Sequence, residues 1–402
     1  MNNKNTVLSL KGTCQHYQWG GFTYIPQLLG ISNEKHEPFA EYWLGAHANA
    51  PAILPDGQAL NVFFEQHPAL LGRQVQQAFG RLPYLLKVLD VKDMLSIQVH
   101  PDKPSALKEF KRENDAGIAL TDAKRNYKDD NHKPELMTAL SDFWLLHGFL
   151  TPELLLANLQ RVPEFSFMLP VFNHGNYKAL YEMLMTMEQS RVNEVLTPLL
   201  NRIIPMYRAG NLNKMSPDFW AARAALTFNT ADRVDRGIFS IYLFNIVFLK
   251  KDEAVFQDAG ILHAYLEGQN VEIMANSDNV LRGGLTPKHI DVQELMKHVL
   301  FEPVVPNVLQ GKAVNKAEVV FATPAPDFEL SKIVLSAGDQ HEWQMETADI
   351  FLLLEGVVTV GKGTEEQSFA KGEAFLATSG SQVSIHASKD AVLYKATVPT
   401  QR

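Results

Sequence analysis

The stretch that decides the fold reads LPYLLKVLDVKDMLSIQVHPDK and covers residues 82–103. Its last residues alternate like a β-strand, because successive side chains of a strand point to opposite faces. One face carries Ile97 and Val99. The opposite face carries three polar residues, namely Ser96, Gln98 and His100. A polar row on so apolar a strand indicates either a surface in contact with water or the wall of a cavity that holds a metal ion or a substrate.

Composition limits the class of protein and its partners. The chain has 402 residues, which is too long for one typical domain and predicts two or three. The net charge of −8 argues against general binding to nucleic acid or membrane surfaces. The single cysteine, Cys14, cannot form an internal disulfide, and the longest apolar run, residues 237–249, is too short to span a bilayer. Because the N-terminus also has no apolar signal core, we expect a cytoplasmic protein without nucleic-acid or membrane partners.

The spacing of apolar residues changes along the chain. Residues 1–100 have short apolar runs broken by glycine and proline, which indicates strands. Residues 151–232 instead show helical spacing, and Thr151 followed by proline is a typical helix start. From Gly237 the strand pattern resumes. The sequence therefore predicts a mainly β protein with a helical insertion.

A faint internal repeat joins two of the β-rich parts. Residues 251–260 read KDEAVFQDAG and residues 371–380 read KGEAFLATSG, so Lys, Glu, Ala and Gly recur at identical offsets. Each segment follows a long apolar run that we predict as a strand, residues 238–249 and residues 349–360. We infer two related β-sandwich or jelly-roll units.

Histidines, carboxylates and cations stand in four of the β-leaning segments. They are His100 with Gln98, Glu135 in NYKDDNHKPELMTAL, His263 in AGILHAYL, and Glu272, Arg282 and Lys288 in EIMANSDNVLRGGLTPK. Each one alone is more typical of a hydrogen-bonded core residue or a surface residue than of a ligand. Together, two histidines and one glutamate with an open coordination position match a known zinc constellation. Their separation in sequence is no obstacle, because distant strands become neighbours in a β-barrel.

These motifs together resemble the type I mannose-6-phosphate isomerases, also called phosphomannose isomerases. The resemblance follows the family's order over nearly the whole chain and leaves out only the helical insertion. It is carried by AEYWLGAHANAPA (40–52), the opening stretch (82–103), NYKDDNHKPELMTAL (126–140), HAYLEGQNVEIMANSDNVLRGGLTPKHID (263–291) and EGVVTVGKGTEEQSFAKGEAFLATSG (355–380).

The resemblance implies a mainly β fold with two cupin-like jelly-roll β-barrels and an α-helical domain. Residues 1–150 and 237–300 would form the catalytic barrel with the metal site. Residues 151–236 would form the helical insertion, and residues 301–402 the second, C-terminal cupin-like domain. This division agrees with the internal repeat.

The resemblance also implies one zinc ion per chain. Its ligands would be Gln98, His100, Glu135 and His263. The sequence departs from the family at two places. Leu262 stands before the histidine where proline is usual, which could loosen the turn that aims it, and Gly21 stands in YQWGG where serine is common, which could alter a substrate contact.

The reaction implied is the interconversion of mannose 6-phosphate and fructose 6-phosphate through a cis-enediol. Arg282 is the leading catalytic candidate, because a permanent positive charge would stabilise the enediolate. The base is either Lys133 or Glu272, and the metal serves either as a Lewis acid or as a template for the sugar hydroxyls.

Further residues are candidates for binding the substrate, a small sugar phosphate. Lys87, Ser96 and Lys288 could bind the phosphate, and Tyr265 and Trp19 could form the wall beside the sugar. We expect a monomer. The competing interpretations are a sugar-phosphate-binding or regulatory protein that kept the fold without catalysis, and another metal-dependent cupin enzyme such as an oxygenase.

Overall fold

The computed structural model describes residues 7–361 and 366–400. The strands are β1 (Val7–Leu10), β2 (Thr13–Gln15), β3 (Glu41–Gly45), β4 (Tyr84–Val91), β5 (Ile97–Val99), β6 (Glu135–Ala139), β7 (Phe143–Phe149), β8 (Phe244–Leu249), β9 (Ala254–Gln257), β10 (His263–Ala275), β11 (Leu281–Gly284), β12 (Val308–Leu309), β13 (Lys312–Ala313), β14 (Glu318–Phe321), β15 (Glu329–Leu335), β16 (Gln340–Gln344), β17 (Asp349–Glu355), β18 (Val357–Val360), β19 (Gln367–Ala370), β20 (Ala374–Ala377), β21 (Gln382–Ala387) and β22 (Ala391–Thr397).

The helices are α1 (Tyr24–Leu29), α2 (Leu60–Gln66), α3 (Arg73–Phe79), α4 (Lys103–Asp115), α5 (Pro152–Arg161), α6 (Leu169–Phe172), α7 (Tyr177–Thr186), α8 (Gln189–Arg208), α9 (Pro217–Phe228), α10 (Gly237–Leu243) and α11 (Val292–His298). Short 3-10 helices cover Pro68–Leu71, Pro163–Met168 and Asn173–Gly175. The mainly β character that the sequence predicts is therefore confirmed. Within the described ranges, no helix is both long and apolar enough to cross a membrane.

Strand β10 organises the part of the fold that holds the candidate site. Its first residues pair with β7, and its residues from Gly268 onward pair with β4 and β6. The register shifts between Tyr265 and Glu267, and Gly268 has a φ of 127°. A Cβ on Gly268 would lie 2.6 Å from the carbonyl oxygen of Asp142, so the bend needs glycine. One strand thus changes pairing partners halfway along its length.

Strand β4 is buried along its whole length, and it includes Lys87 and Asp90 among its apolar residues. It lies between β3 and β10 in the order β12-β9-β6-β10-β4-β3-β2. Strand β5 pairs with β10 and with β11, so that Gln98 has both His263 and Arg282 as register partners. The strands of the opening stretch therefore meet the later histidine and arginine segments.

Helices α5 to α9 occupy the chain between β7 and β8, where the sequence predicts helices. Helix α8 packs on α9 and buries one face at intervals of three and four residues. The buried residues of α8 are Val192, Val195, Leu196, Leu199, Leu200 and Ile203. They join the same hydrophobic core as Val99 of β5 and Leu281 of β11, so the helices are packed onto the strands of the candidate site.

The apolar run at residues 238–249 corrects one prediction. It is not a single strand, because Gly237–Leu243 is helix α10 and only Phe244–Leu249 is strand β8. Every residue of α10 is buried, so no hydrophobic period distinguishes helix from strand there. The matching run at residues 349–360 forms two strands, β17 and β18, with Gly356 at a φ of 89° between them.

The two repeat segments adopt the same local structure. Residues 251–260 and residues 371–380 each form a turn, a four-residue strand and a second turn, at identical offsets. The strands are β9 and β20, which lie in different sheets.

The C-terminal strands form two further sheets around their own core. The seven-stranded sheet has the order β1-β20-β17-β22-β15-β14-β13, and the four-stranded sheet has the order β16-β21-β18-β19. Phe351, Phe375 and Val383 pack in the core between them. The first strand of the chain, β1, pairs with β20 and so belongs to this part. The Tyr84 hydroxyl lies 2.9 Å from the carbonyl oxygen of Ala396, which ties β4 to β22.

Candidate functional site

Three buried side chains converge at the candidate metal site. His100, Glu135 and His263 place their ligand atoms within 4.8 Å of one another. The Nε2 atom of His100 lies 3.5 Å from Glu135 Oε1, and that of His263 lies 3.4 Å from Oε2. Within the described part of the chain, neither Nε2 atom has a hydrogen-bond partner. Two buried nitrogens without hydrogen-bond partners on either side of one carboxylate can together hold a cation.

The other ring nitrogen of each histidine fixes its protonation. Nδ1 of His100 lies 2.7 Å from the carbonyl oxygen of Asn279, and Nδ1 of His263 lies 2.8 Å from that of Ile261. A carbonyl oxygen only accepts, so each Nδ1 carries the proton and each Nε2 presents a lone pair. Burial lowers the pKa of His100 to about 4, which keeps it neutral. Neutral imidazole and carboxylate suit a borderline divalent cation such as zinc.

A cavity of about 860 Å³ opens beside this cluster. It is lined by all the site residues that the sequence predicts except His100 and His263, namely Trp19, Lys87, Ser96, Gln98, Lys133, Glu135, Tyr265, Glu272, Arg282 and Lys288. The polar face of the opening stretch therefore lines a cavity, through Ser96 and Gln98, which are both partly exposed.

Glu272 is the centre of a buried charged network on one wall. The ammonium of Lys87 donates to Glu272 Oε1 at 3.0 Å, and the Tyr265 hydroxyl donates to Oε2 at 2.6 Å. Lys87 also lies 3.6 Å from Glu41. Burial raises the pKa of Glu272, and the carboxylates of Glu135 and Glu41 add to this, while the charge of Lys87 opposes it. The result is a carboxylate more basic than an ordinary glutamate.

The charge of Lys87 is committed to its two carboxylate neighbours. Burial would lower its pKa, but Glu41 and Glu272 outweigh burial and raise the pKa above the ordinary lysine value.

Lys133 also lines the cavity, and its Nζ atom lies 3.2 Å from Glu135 Oε1. Strand β6 begins only at Glu135, after Pro134, so strand alternation does not turn Lys133 away from the cavity.

Two cations at the cavity have no carboxylate partner within the described ranges. Among residues 7–361 and 366–400, no hydrogen bond or ion pair involves the guanidinium of Arg282 or the ammonium of Lys288. Burial lowers the pKa of Arg282, and burial together with the charge of Arg282 lowers that of Lys288. Unpaired cations that face a cavity are typical of an anion-binding site.

The two departures from the family pattern leave these contacts intact. Leu262 is buried, and its carbonyl accepts from the Gly148 N–H at 2.8 Å, while His263 is aimed by the carbonyl of Ile261. A Cβ on Gly21 would lie 1.9 Å from Asp90 Oδ2, and Gly21 does not line the cavity. The glycine is therefore required by packing on Asp90.

Some residues at the site were missed from the sequence. Glu41 lines the cavity and pairs with Lys87, and its signal was present in AEYWLGAH, where alternation puts Glu41 and Trp43 on one face. Asp278 also lines the cavity and lies 3.1 Å from His47. No spacing in the sequence distinguishes Asp278 from an ordinary turn residue.

Comparison with known proteins places the chain in a family. A family model described as "Phosphomannose isomerase type I, catalytic domain" matches residues 7–151. The mannose-6-phosphate isomerase of Escherichia coli K12 is 36% identical over 390 residues, which cover 94% of this chain and 96% of the relative. The human mannose-6-phosphate isomerase is 32% identical over 394 residues, which cover 90% of each chain.

Solved structures agree with the sequence matches. The mannose 6-phosphate isomerase of Salmonella typhimurium bound to fructose 6-phosphate and zinc matches with a TM-score of 0.86 and 33% identity, covering 98% of this chain and 100% of that one. The apo form of the Salmonella enzyme matches with a TM-score of 0.87 and 32% identity, covering 98% and 99%. The chain therefore belongs to the type I phosphomannose isomerase family.

Proposed function

We propose that this protein is a zinc-dependent mannose-6-phosphate isomerase of the cytoplasm, which interconverts D-mannose 6-phosphate and D-fructose 6-phosphate. The observation that carries the proposal is a buried two-histidine, one-glutamate cluster beside a cavity with two cations, Arg282 and Lys288, that have no ion-pair partner in the described part of the chain. A metal ligand set and an anion-binding wall in one cavity suit a sugar phosphate. The Salmonella relative with bound fructose 6-phosphate and zinc supports the same substrate and metal.

We assign the zinc ion to Gln98, His100, Glu135 and His263. Only Glu135 is anionic, so the group keeps a net positive charge. When bound, zinc supplies Lewis acidity or a template for sugar hydroxyls. Gln98 contributes a neutral oxygen from β5, next to His263 in the register.

The isomerisation moves one proton between C1 and C2 of the open-chain sugar through a cis-enediol. We favour Glu272 as the base, because burial raises its pKa and Tyr265 and Lys87 hold both its oxygens in place. Lys133, beside Glu135, is the alternative base. Arg282 stabilises the enediolate charge, since no carboxylate within the described ranges neutralises its guanidinium.

Lys288 is the stronger candidate for the phosphate, since Lys87 is already paired with Glu41 and Glu272. Ser96 can add a hydroxyl donor, and Trp19 and Tyr265 can contact the sugar. The positive charge of Lys288 would attract the dianionic phosphate group to this part of the cavity.

We also propose the fold division that the family resemblance implies. Residues 1–150 and 237–300 would form the metal-binding cupin-like barrel, residues 151–236 the helical insertion, and residues 301–402 a second cupin-like domain. The shared turn–strand–turn structure of the repeat segments supports two related units. Strand β1 is the exception, since it pairs with β20.

The test is turnover with and without metal. The purified protein is stripped with a chelator, and formation of fructose 6-phosphate from mannose 6-phosphate is followed before and after zinc is restored. We expect activity to be lost and recovered, and Glu135→Gln to lose zinc. A folded, zinc-loaded protein that binds fructose 6-phosphate without turnover would favour the non-catalytic sugar-phosphate-binding alternative.

A further inference from the structure

A buried aspartate, Asp235, connects the end of the helical insertion (residues 151–236) to the chain segment that brings Arg282 and Lys288 to the cavity. Asp235 lies between α9 and α10 and is 1% exposed. Its Oδ1 accepts from the backbone N–H of Gly237 at 2.8 Å and from that of Leu285 at 2.8 Å. Its Oδ2 accepts from the N–H of Thr286 at 3.1 Å. Asp235 therefore holds two chain segments that are about fifty residues apart in sequence.

The segment that Asp235 holds is strained. Leu285 has a φ of 54°, which is uncommon for a residue with a branched side chain. Gly284 and Gly237 approach so closely that a Cβ on Gly284 would lie 2.4 Å from the Gly237 Cα. Such a conformation persists only where the surroundings impose it. The two hydrogen bonds that Asp235 accepts from the N–H groups of Leu285 and Thr286 provide that constraint.

The same segment carries Arg282 and Lys288, the cations without an ion-pair partner among the residues that the structure describes. It runs from Arg282 to Lys288, and Leu285, Thr286 and Lys288 line the cavity. The Lys288 N–H also donates to the Thr286 hydroxyl at 3.1 Å, so the position of Thr286 fixes that of Lys288. Asp235 itself does not line the cavity. Asp235 can therefore act on a substrate in the cavity through this segment, from which it accepts the hydrogen bonds of Leu285 and Thr286.

We propose that Asp235 is a positioning residue that fixes the anion-binding segment 282–288. Through Asp235, the helical insertion would set the affinity of the site for the phosphate group. The proposal rests on the proposed function for its substrate. It does not require Asp235 to contact the sugar phosphate. It requires that the phosphate be bound more weakly when the two hydrogen bonds to Leu285 and Thr286 are disturbed.

The experiment uses Asp235→Asn, which keeps the size of the side chain. The amide oxygen can still accept from Gly237 and Leu285, but the amide nitrogen faces the Thr286 N–H, donor against donor. We expect KM for mannose 6-phosphate and the inhibition constant of inorganic phosphate to rise together by about tenfold. We expect kcat and zinc content to stay within about twofold of the wild type.

A matched control separates geometry from charge. Arg233 lies 4.0 Å from Asp235 Oδ2 and makes no contact with the segment 282–288 among the described hydrogen bonds and ion pairs. Arg233→Met removes this charge and keeps the three backbone hydrogen bonds, so KM and phosphate inhibition should stay at wild-type values. Asp235→Glu keeps the carboxylate but lengthens the link, and should weaken phosphate binding while zinc is retained.

Two results would overturn the proposal for Asp235. A folded Asp235→Asn or Asp235→Glu protein with unchanged KM and unchanged phosphate inhibition overturns the proposal. A loss of kcat and zinc in proportion to a fall in melting temperature indicates a merely structural role and also overturns it. If the wild type shows no turnover, the proposed function fails, but calorimetric binding of inorganic phosphate to wild type and Asp235→Asn still tests Asp235.

Discussion

At the scale of single residues, the site is defined by which charges are paired and which are not. Lys87 is held between two carboxylates, whereas Arg282 and Lys288 have no carboxylate partner within the described ranges. A paired lysine stabilises its neighbours, and an unpaired cation at a cavity attracts an anion. Lysine therefore has different roles at different places in the cavity.

Arg282→Met should lower kcat by about two to three orders of magnitude, the range found when one group that stabilises an oxyanion is removed. Zinc content should not change, because no hydrogen bond or ion pair in the described part of the chain joins Arg282 to His100, Glu135 or His263. Steady-state kinetics with metal analysis checks both. Arg191→Met is the matched control, since Arg191 is half exposed and pairs with Glu194. Zinc lost in parallel with kcat would assign Arg282 to metal retention instead.

Tyr265→Phe should move the acid limb of the pH–activity profile to higher pH. The Tyr265 hydroxyl donates to Glu272 and favours its charged form, which opposes the rise that burial causes in the pKa of Glu272. Without the hydroxyl, that pKa rises further, and the base ionises only at higher pH. The profile of kcat/KM against pH checks this.

The control for this variant is Tyr127→Phe. The Tyr127 hydroxyl also donates to a glutamate, Glu294, but does so outside the cavity. Its acid limb should match that of the wild type. An acid limb that Tyr265→Phe leaves in place would argue against Glu272 as the base and for Lys133.

Residues whose chemistry follows from their type could be predicted from the sequence. Residues that matter because of their hydrogen-bond partners could not. Histidine and glutamate in apolar strands gave His100, Glu135 and His263, which the structure brings together. Asp235 stands in TADRVDRG, which reads as an exposed turn. Its contact with Gly237 is local, but Leu285 and Thr286 lie in a segment whose proximity depends on the whole fold, and no local spacing reports them.

At the scale of elements, β10 makes the site possible because it is bent. Tyr265 and Glu272 are seven residues apart in this strand, which is about 23 Å along a straight strand. Their side chains nevertheless meet at 2.6 Å. The register shift before Gly268 therefore turns the strand back on the cavity. Strand alternation alone could not have predicted this contact, just as it could not separate α10 from β8.

Glu267, beside that bend, should anchor the helices to the strand. Its carboxylate accepts from Lys214 and from Arg223 of α9, while the end of α9 at Thr227 lines the cavity. Burial would raise the pKa of Glu267, but these two hydrogen bonds outweigh it and the pKa lies below the ordinary value.

Glu267→Ala should therefore destabilise the protein by about 1 kcal/mol, since it breaks a partly exposed network of three charges. We expect faster amide hydrogen exchange in α9 and a lower melting temperature. Glu194→Ala is the control, because its ion pair with Arg191 is exposed. Equal melting temperatures and equal exchange for the two variants would show that Glu267 does not anchor the helices.

At the scale of the whole molecule, the C-terminal sheets are tied to the site-bearing strands and contain a buried acid of their own. Asp349, at the start of β17, accepts at Oδ1 from the hydroxyls of Thr347 and Thr397. Burial raises its pKa from 3.8 to about 6, against the opposing charge of Lys395. The native protein therefore holds a proton between about pH 4 and pH 6 that the unfolded chain has released.

Stability should fall as the pH rises through that window, because the native state binds more protons than the unfolded state there. Above pH 6 the loss in the free energy of unfolding is on the order of 3 kcal/mol, and Asp349→Asn removes it. The amide oxygen of the asparagine can still accept from both hydroxyls. The variant should melt at a higher temperature than the wild type at pH 7.5, with a smaller difference at pH 4.5. A difference in melting temperature between the variant and the wild type that is the same at pH 7.5 and pH 4.5 would contradict this.

The pairing of β1 with β20 also fixes an order of events during synthesis. Leu10 pairs with Ala374, so its partner is made 364 residues later, the difference between the two residue numbers. At a synthesis rate of about 5 to 20 residues per second, the partner of the first strand is made roughly 20 to 70 seconds after the strand itself. The metal-ligand strands, which end at Ala275, are complete well before then. The nascent chain can therefore assemble its metal-binding strands while its own first strand is still unpaired and open to chaperones.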